Sequence, residues 1–142
     1  MALQACTADN IPKFTFESNT RQISKCLRVI DGDTACFTIT INDKIYQHSC
    51  RMAGYNSAEI HGKTIEEKTA AAAAKKALEN LILEKIVELE YGPSDKYGRP
   101  LVTVWVKSTR FGIPMTDSKS VNDMMIETGH GAPYNGRGEK KY

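Results

Sequence analysis

The sequence has no long apolar run. No stretch approaches the ~18 residues that span a membrane, so no membrane span is expected. It also has little net charge: 19 Lys and Arg against 17 Asp and Glu leave +2. Bulk charge therefore does not argue for nucleic-acid binding, and such binding must come from a local basic patch. No cysteine pair has the Cys-x-x-Cys spacing, and no histidine sits at zinc-finger distance. The start, Met1 to Asp9, lacks the charged opening and long apolar stretch of a secretory signal. Cys6, Cys26, Cys36 and Cys50 are accordingly expected as free thiols in an intracellular, reducing compartment, where an isolated cysteine behaves as a small apolar residue.

What is present is an ordinary globular composition, with 41% hydrophobic and 25% charged residues. A chain of 142 residues can build one hydrophobic core, so one domain over 1–142 is expected. Loose tails are expected at about 1–10 and 131–142, the latter rich in Gly and Lys/Arg.

Phe14 and Phe16 alternate with Thr15 and Glu17, which predicts a first strand. Ser18 to Arg21 reads as a turn, and a second strand begins near Lys25. It meets Asp31-Gly-Asp33, a tight turn or bulge where Gly32 permits positive φ. Phe37, Ile39 and Ile41 then alternate with Thr38 and Thr40, and Asn42-Asp-Lys44 is the hairpin turn. A strand over about Ile45–Ala53 puts Cys50 and Met52 on one face and Arg51 on the other. Thr64-Ile-Glu-Glu67 is a capping box. It starts a helix whose apolar stripe is Ala70, Ala73, Ala74, Ala77, Leu78 and Leu81. Ile86–Tyr91 and Leu101–Val106 read as strands, and Ser108 to Lys119 as a loop. Ser120 caps a short helix that ends at Gly129. The expected fold is a β-barrel plus helices: a five-stranded OB-fold barrel with a helix after strand 3 and a C-terminal helix.

Three short pieces concentrate the chemistry: Val29 to Thr34, Cys50 to Glu59, and Asp95 to Arg99. Carboxylates and amide oxygens suit a hard cation, and guanidinium forks suit a phosphate. Asp33 and Glu59 can supply hard oxygens, Asn56 its amide oxygen and Ser57 its backbone carbonyl. Hydrolysis of a phosphodiester needs a positioned water, neutralised phosphoryl charge and a stabilised leaving oxygen.

These pieces, in this order, resemble the staphylococcal-nuclease-like (thermonuclease) family. Ile30-Asp-Gly-Asp-Thr34 and Asp95-Lys-Tyr-Gly-Arg99 match in full, and Arg51 and Glu59 match at the family's spacing. Asn56, Ser57 and Ala58 stand where Asp, Thr and Pro are usual. The resemblance implies the same OB-fold and a Ca²⁺-dependent nuclease that cuts single-stranded DNA and RNA, leaving 3′-phosphate ends. By resemblance, Asp33, Asn56 and the Ser57 carbonyl line the metal site. Arg51, Glu59 and Arg99 are catalytic: the arginines grip the phosphate, and Glu59 is the general base or orients the attacking water. Asp31 either supports the metal site from behind or is a turn former bonding its own backbone. Lys96 and Tyr97 contact a neighbouring phosphate or merely shape their turn, and Tyr134 stacks on a base. A binding module that holds nucleic acid without cutting it is the alternative. Nothing in the sequence points to a protein partner.

Overall fold

The computed structural model describes residues 3–11, 20–58 and 63–134. The strand expected around Phe14 and Phe16 lies outside these residues. The first described strand, β1 (Thr20–Asp31), begins earlier than the predicted Lys25, and its first residues pair with β5 (Ile86–Ser94). The turn expected over 18–21 is therefore not a turn at Thr20 and Arg21. Arg21 instead lies over the Trp105 ring, 4.1 Å from its centroid, and meets Glu90.

β2 (Thr34–Ile41) and β3 (Lys44–Met52) follow as a hairpin. Its turn residues Asn42 and Asp43 both have positive φ, 51° and 65°, as a tight hairpin turn requires. β4 (Tyr55–Asn56) is a two-residue strand, and helix α1 (Ile65–Ile82) comes next. The capping box is present: Thr64 Oγ1 accepts from Glu67 N at 3.0 Å, and Glu67 reaches back to the Lys63 amide. The helix's buried line is Ala71, Ala74, Leu78 and Ile82, with Ala73 exposed. The predicted stripe was thus rotated slightly. Five consecutive alanines carry no phase of their own, and the larger Leu78 and Ile82 decide which face docks.

β6 (Pro100–Arg110) pairs with β5 and then turns into β7 (Ile113–Thr116). The predicted loop over 108–119 is in fact largely this hairpin. Phe111 and Gly112 form its turn with φ of 53° and 77°, a pair without the usual Asn-Gly signature. Helix α2 (Val121–Glu127) is capped by Ser120, which accepts from Asp123 N. β8 (Ala132–Pro133) pairs with β4, so residues 131–134 are held rather than loose as expected. Gly131 packs tightly on Tyr55, where an added Cβ would come within 2.6 Å of the ring.

Among the described residues the chain is mostly β, with a six-stranded sheet in the order β3-β2-β1-β5-β6-β7 and two α-helices, and it is OB-fold-like. β3 also pairs in parallel with β6 at Arg51–Leu101 and Met52–Val102. Phe37, Met52, Leu78, Leu89, Val104 and Met125 form the centre of the core. Asn122 ties α2 to this frame: its Oδ1 accepts from Val104 N, and its Nδ2 donates to the carbonyls of Ala53 and Val102. No helix among the described residues is long and apolar enough to cross a membrane.

Candidate functional site

The β1–β2 turn, the end of β3, and β4 with Ser57 after it converge on one buried polar cluster. Gly32 lets them meet. Its φ is not positive, contrary to expectation. The glycine is needed for space: a Cβ there would come 2.6 Å from Ala74 Cβ and 2.7 Å from Ser57. Tyr55, fully buried, donates its hydroxyl to the Gly32 carbonyl at 2.8 Å and props the turn from below.

Asp33 sits at the centre. Its Oδ2 accepts from Arg51 Nη2 at 3.3 Å and from Ser57 N at 3.2 Å, and its Oδ1 accepts from Thr34 Oγ1 at 3.1 Å. Burial alone would raise its pKa. The hydrogen bond with Asp31, the Arg51 charge, the Ser57 amide and the Thr34 hydroxyl outweigh that and hold it below the usual carboxylate range. Asp31 goes the other way. Burial and the neighbouring Asp33 push it up to about 6. Two close carboxylates cannot both ionise cheaply, so Asp33 carries the charge and Asp31 retains a proton longest.

Arg51 is only 8% exposed, although it alternates away from Met52. It was expected on a non-core face; the fold buries that face locally under the loop carrying Asn56. Its Nη2 also donates to Asn56 Oδ1. Among the described residues, Asn56 Nδ2 is buried with no hydrogen-bond partner. Flipping the amide would set a donor against Arg51, so the oxygen must face the guanidinium. Tyr134, anchored by its amide to the Gly54 carbonyl, places its ring 5.7 Å from Arg51 Cζ.

Arg99 reaches the cluster from the β5–β6 turn. Its Nη1 donates to Thr34 Oγ1 at 3.4 Å, and its Nε pairs with Asp95 at 2.9 Å. Asp95 Oδ1 accepts from the amides of Tyr97 and Arg99, which locks the turn. Tyr97 is exposed, with Lys96 Nζ and Arg99 Cζ 5.1 and 5.5 Å from its ring. The structure therefore gathers Asp31, Asp33, Arg51, Asn56, Ser57, Arg99 and Tyr134, with Lys96 and Tyr97 at the rim. Glu59 lies outside the described residues. Thr34, the hydroxyl linking Arg99 to Asp33, had no role assigned from sequence, although it stands inside the first motif.

The model of the staphylococcal nuclease homologue family matches residues 49–142, more than half of the chain. The chain belongs to the staphylococcal nuclease homologue family. No curated protein matches it. Nuclease homologues of this family are metal-dependent, and the cluster fits that requirement in part. Asp31 and Asp33 stand side by side in the turn, Asp33 N donating to Asp31 Oδ1 at 3.0 Å, and together offer the hard oxygens a divalent cation takes. Asn56 fits less well, because its oxygen is engaged by Arg51. Among the described residues no group of three His, Cys, Asp or Glu gathers around one point.

Proposed function

We propose that this chain is a Ca²⁺-dependent nuclease that hydrolyses phosphodiesters of single-stranded DNA and RNA to 3′-phosphate products. The observation that carries this reading is the joining of Arg99 to Asp33 through Thr34, with Arg51 on Asp33's other side. Two phosphate-gripping forks then flank one buried carboxylate, an arrangement a simple binding surface does not require. We further read the sheet as a five-stranded OB-fold barrel, because the β3–β6 pairing links the two sides of the sheet.

In this mechanism Asp33, Asn56 and the Ser57 carbonyl would hold the cation, with Asp31 adding negative charge beside them. When bound, Ca²⁺ would supply positive charge to the phosphoryl oxygens and lower the pKa of a nearby water. Arg51 and Arg99 bind the phosphate and hold its growing charge in the transition state. Glu59 takes a proton from the attacking water. A new P–O bond forms, the P–O5′ bond breaks, and the 5′ oxygen takes up a proton and leaves. Lys96 and Tyr97 hold the next phosphate, and Tyr134 stacks on a base.

The second reading, a module that binds nucleic acid without cutting it, is favoured by one observation. Arg51 occupies the Asn56 oxygen, so the cation loses a ligand while that contact lasts. Incubating a 5′-labelled single-stranded oligonucleotide with the protein separates the two. The nuclease reading expects fragments ending in 3′-phosphate with Ca²⁺ and none with chelator. A bound but intact oligonucleotide in both supports the binding module.

A further inference from the structure

β3 pairs with β6 only at Arg51 and Met52. Beyond that point its outer edge leaves β6, and a groove of about 500 Å³ opens between it and the Asp95–Arg99 turn. Ile39, Tyr46 and His48 line one side, Tyr97 and Arg99 the other. Tyr46 is 51% exposed and Tyr97 72% exposed, two large aromatics facing solvent across one cleft. His48 is fixed there, with Nε2 3.0 Å from Tyr91 Oη. Arg99 belongs to both places: it lines this groove and also bonds Thr34 in the polar cluster. Along β2 and β3, the pair Thr34–Arg51 lies at one end and Ile39–Tyr46 five residues further along. That separation is roughly 17 Å at the strand rise, room for more than one nucleotide.

The geometry points to this groove as a second subsite, which takes nucleobases of the same single strand beyond the phosphate held by Arg51 and Arg99. The inference rests on the nuclease reading of that cluster. Its occupant is a base and not a peptide strand, because the groove leads from a phosphate-binding arginine to exposed aromatic faces. A base stacks on Tyr46, and every base has a face to stack, so the subsite is tolerant of sequence. The groove also holds Gln47, whose amide can bond a base edge.

Fluorescence anisotropy with labelled oligothymidylates of two and eight nucleotides, in chelator, tests this without catalysis. The longer probe should bind the wild-type protein more tightly. Tyr46→Ala should remove about tenfold of that gain, and Tyr46→Phe should keep it. Phe111→Ser, on the distant β6–β7 turn, should match wild type for both probes. Arg51→Lys should weaken both probes alike. If Arg51→Lys has that effect while Tyr46→Ala weakens neither probe, the phosphate site stands and the groove is overturned. If Tyr46→Ala weakens both probes alike, Tyr46 acts at the phosphate site itself, and the subsite is again overturned. If the wild type binds neither probe, the groove is overturned, and the Ca²⁺ cleavage assay decides the nuclease reading separately.

Discussion

Arg51 and Arg99 carry the same side chain toward the same carboxylate by different routes. Arg51 comes from the sheet and is buried, with its paired side chains 10% and 11% exposed. Arg99 comes from a turn, its side chain 33% exposed, and pairs with Asp95 of that same turn. The first is part of the fold as well as of the site; the second belongs almost wholly to the site. A buried ion pair is worth little when whole and costs much when halved, whereas a partly solvated one is screened. Two residues with one proposed chemical role should therefore differ sharply in what their loss does to stability.

The largest effect should come from Arg51→Ala. It leaves Asp33 charged and Asn56 Oδ1 unpaired in a buried place, and unfolding experiments in denaturant should register a loss of about 3–5 kcal/mol. Sequence alternation sets Arg51 on the face opposite Met52; its burial on that face is what makes its loss costly. Wild-type stability in this variant would mean that the Asp33–Arg51 pair is solvated. Arg99→Ala should do the converse. Its stability should stay within about 1 kcal/mol of wild type. Its cleavage rate on single-stranded DNA should fall by about 10²–10³. A large drop in thermal midpoint for Arg99→Ala would erase the contrast.

Asn56→Asp sharpens the comparison from the Arg51 side. Aspartate offers one oxygen to Arg51 and a second to the cation, which the amide cannot do. The Ca²⁺ concentration for half-maximal cleavage should fall about 10-fold, equivalent to ~1.4 kcal/mol. An unchanged metal dependence would remove Asn56 from the ligand set. The smallest effect concerns Asp31. Burial and the neighbouring Asp33 push its pKa from the usual 3.8 up to about 6, so ionisation is disfavoured in the fold. Stability from this group is present below 3.8 and is lost as pH rises through about 6. Asp31→Asn, measured without metal, should flatten the melting profile over that window and be modestly more stable at pH 7. A variant less stable than wild type at pH 7 would contradict the raised Asp31 pKa.

Much of this was legible in the residues because local chemistry fixed it. The capping box at Thr64, the N-cap at Ser120, the Asn42-Asp43 turn and the alternation of β2 and β3 each depend on near neighbours in sequence. The three motifs were legible as chemistry because their residue types have few other uses together. What was hidden depends on distant contacts. Gly32 looks like a turn glycine, yet it is required by Ala74 and Ser57, which arrive from elsewhere in the chain. The burial of Arg51 needs the loop after β3 to fold over it. The phase of α1 is silent in a run of alanines, and β7 was missed because Phe111-Gly112 is an unusual hairpin turn. Glu59, central to the proposed chemistry, lies outside the described residues.

The most direct measurement is the initial rate of single-stranded DNA cleavage as Ca²⁺ is raised from chelator to saturation, for wild type and for Arg99→Ala. Cleavage should be absent in chelator and should rise to a plateau with Ca²⁺. That plateau should drop at least 10² in Arg99→Ala, with the protein still folded. Equal cleavage by both proteins, or none by wild type at any Ca²⁺ concentration, would contradict a nuclease built on the two arginines around Asp33.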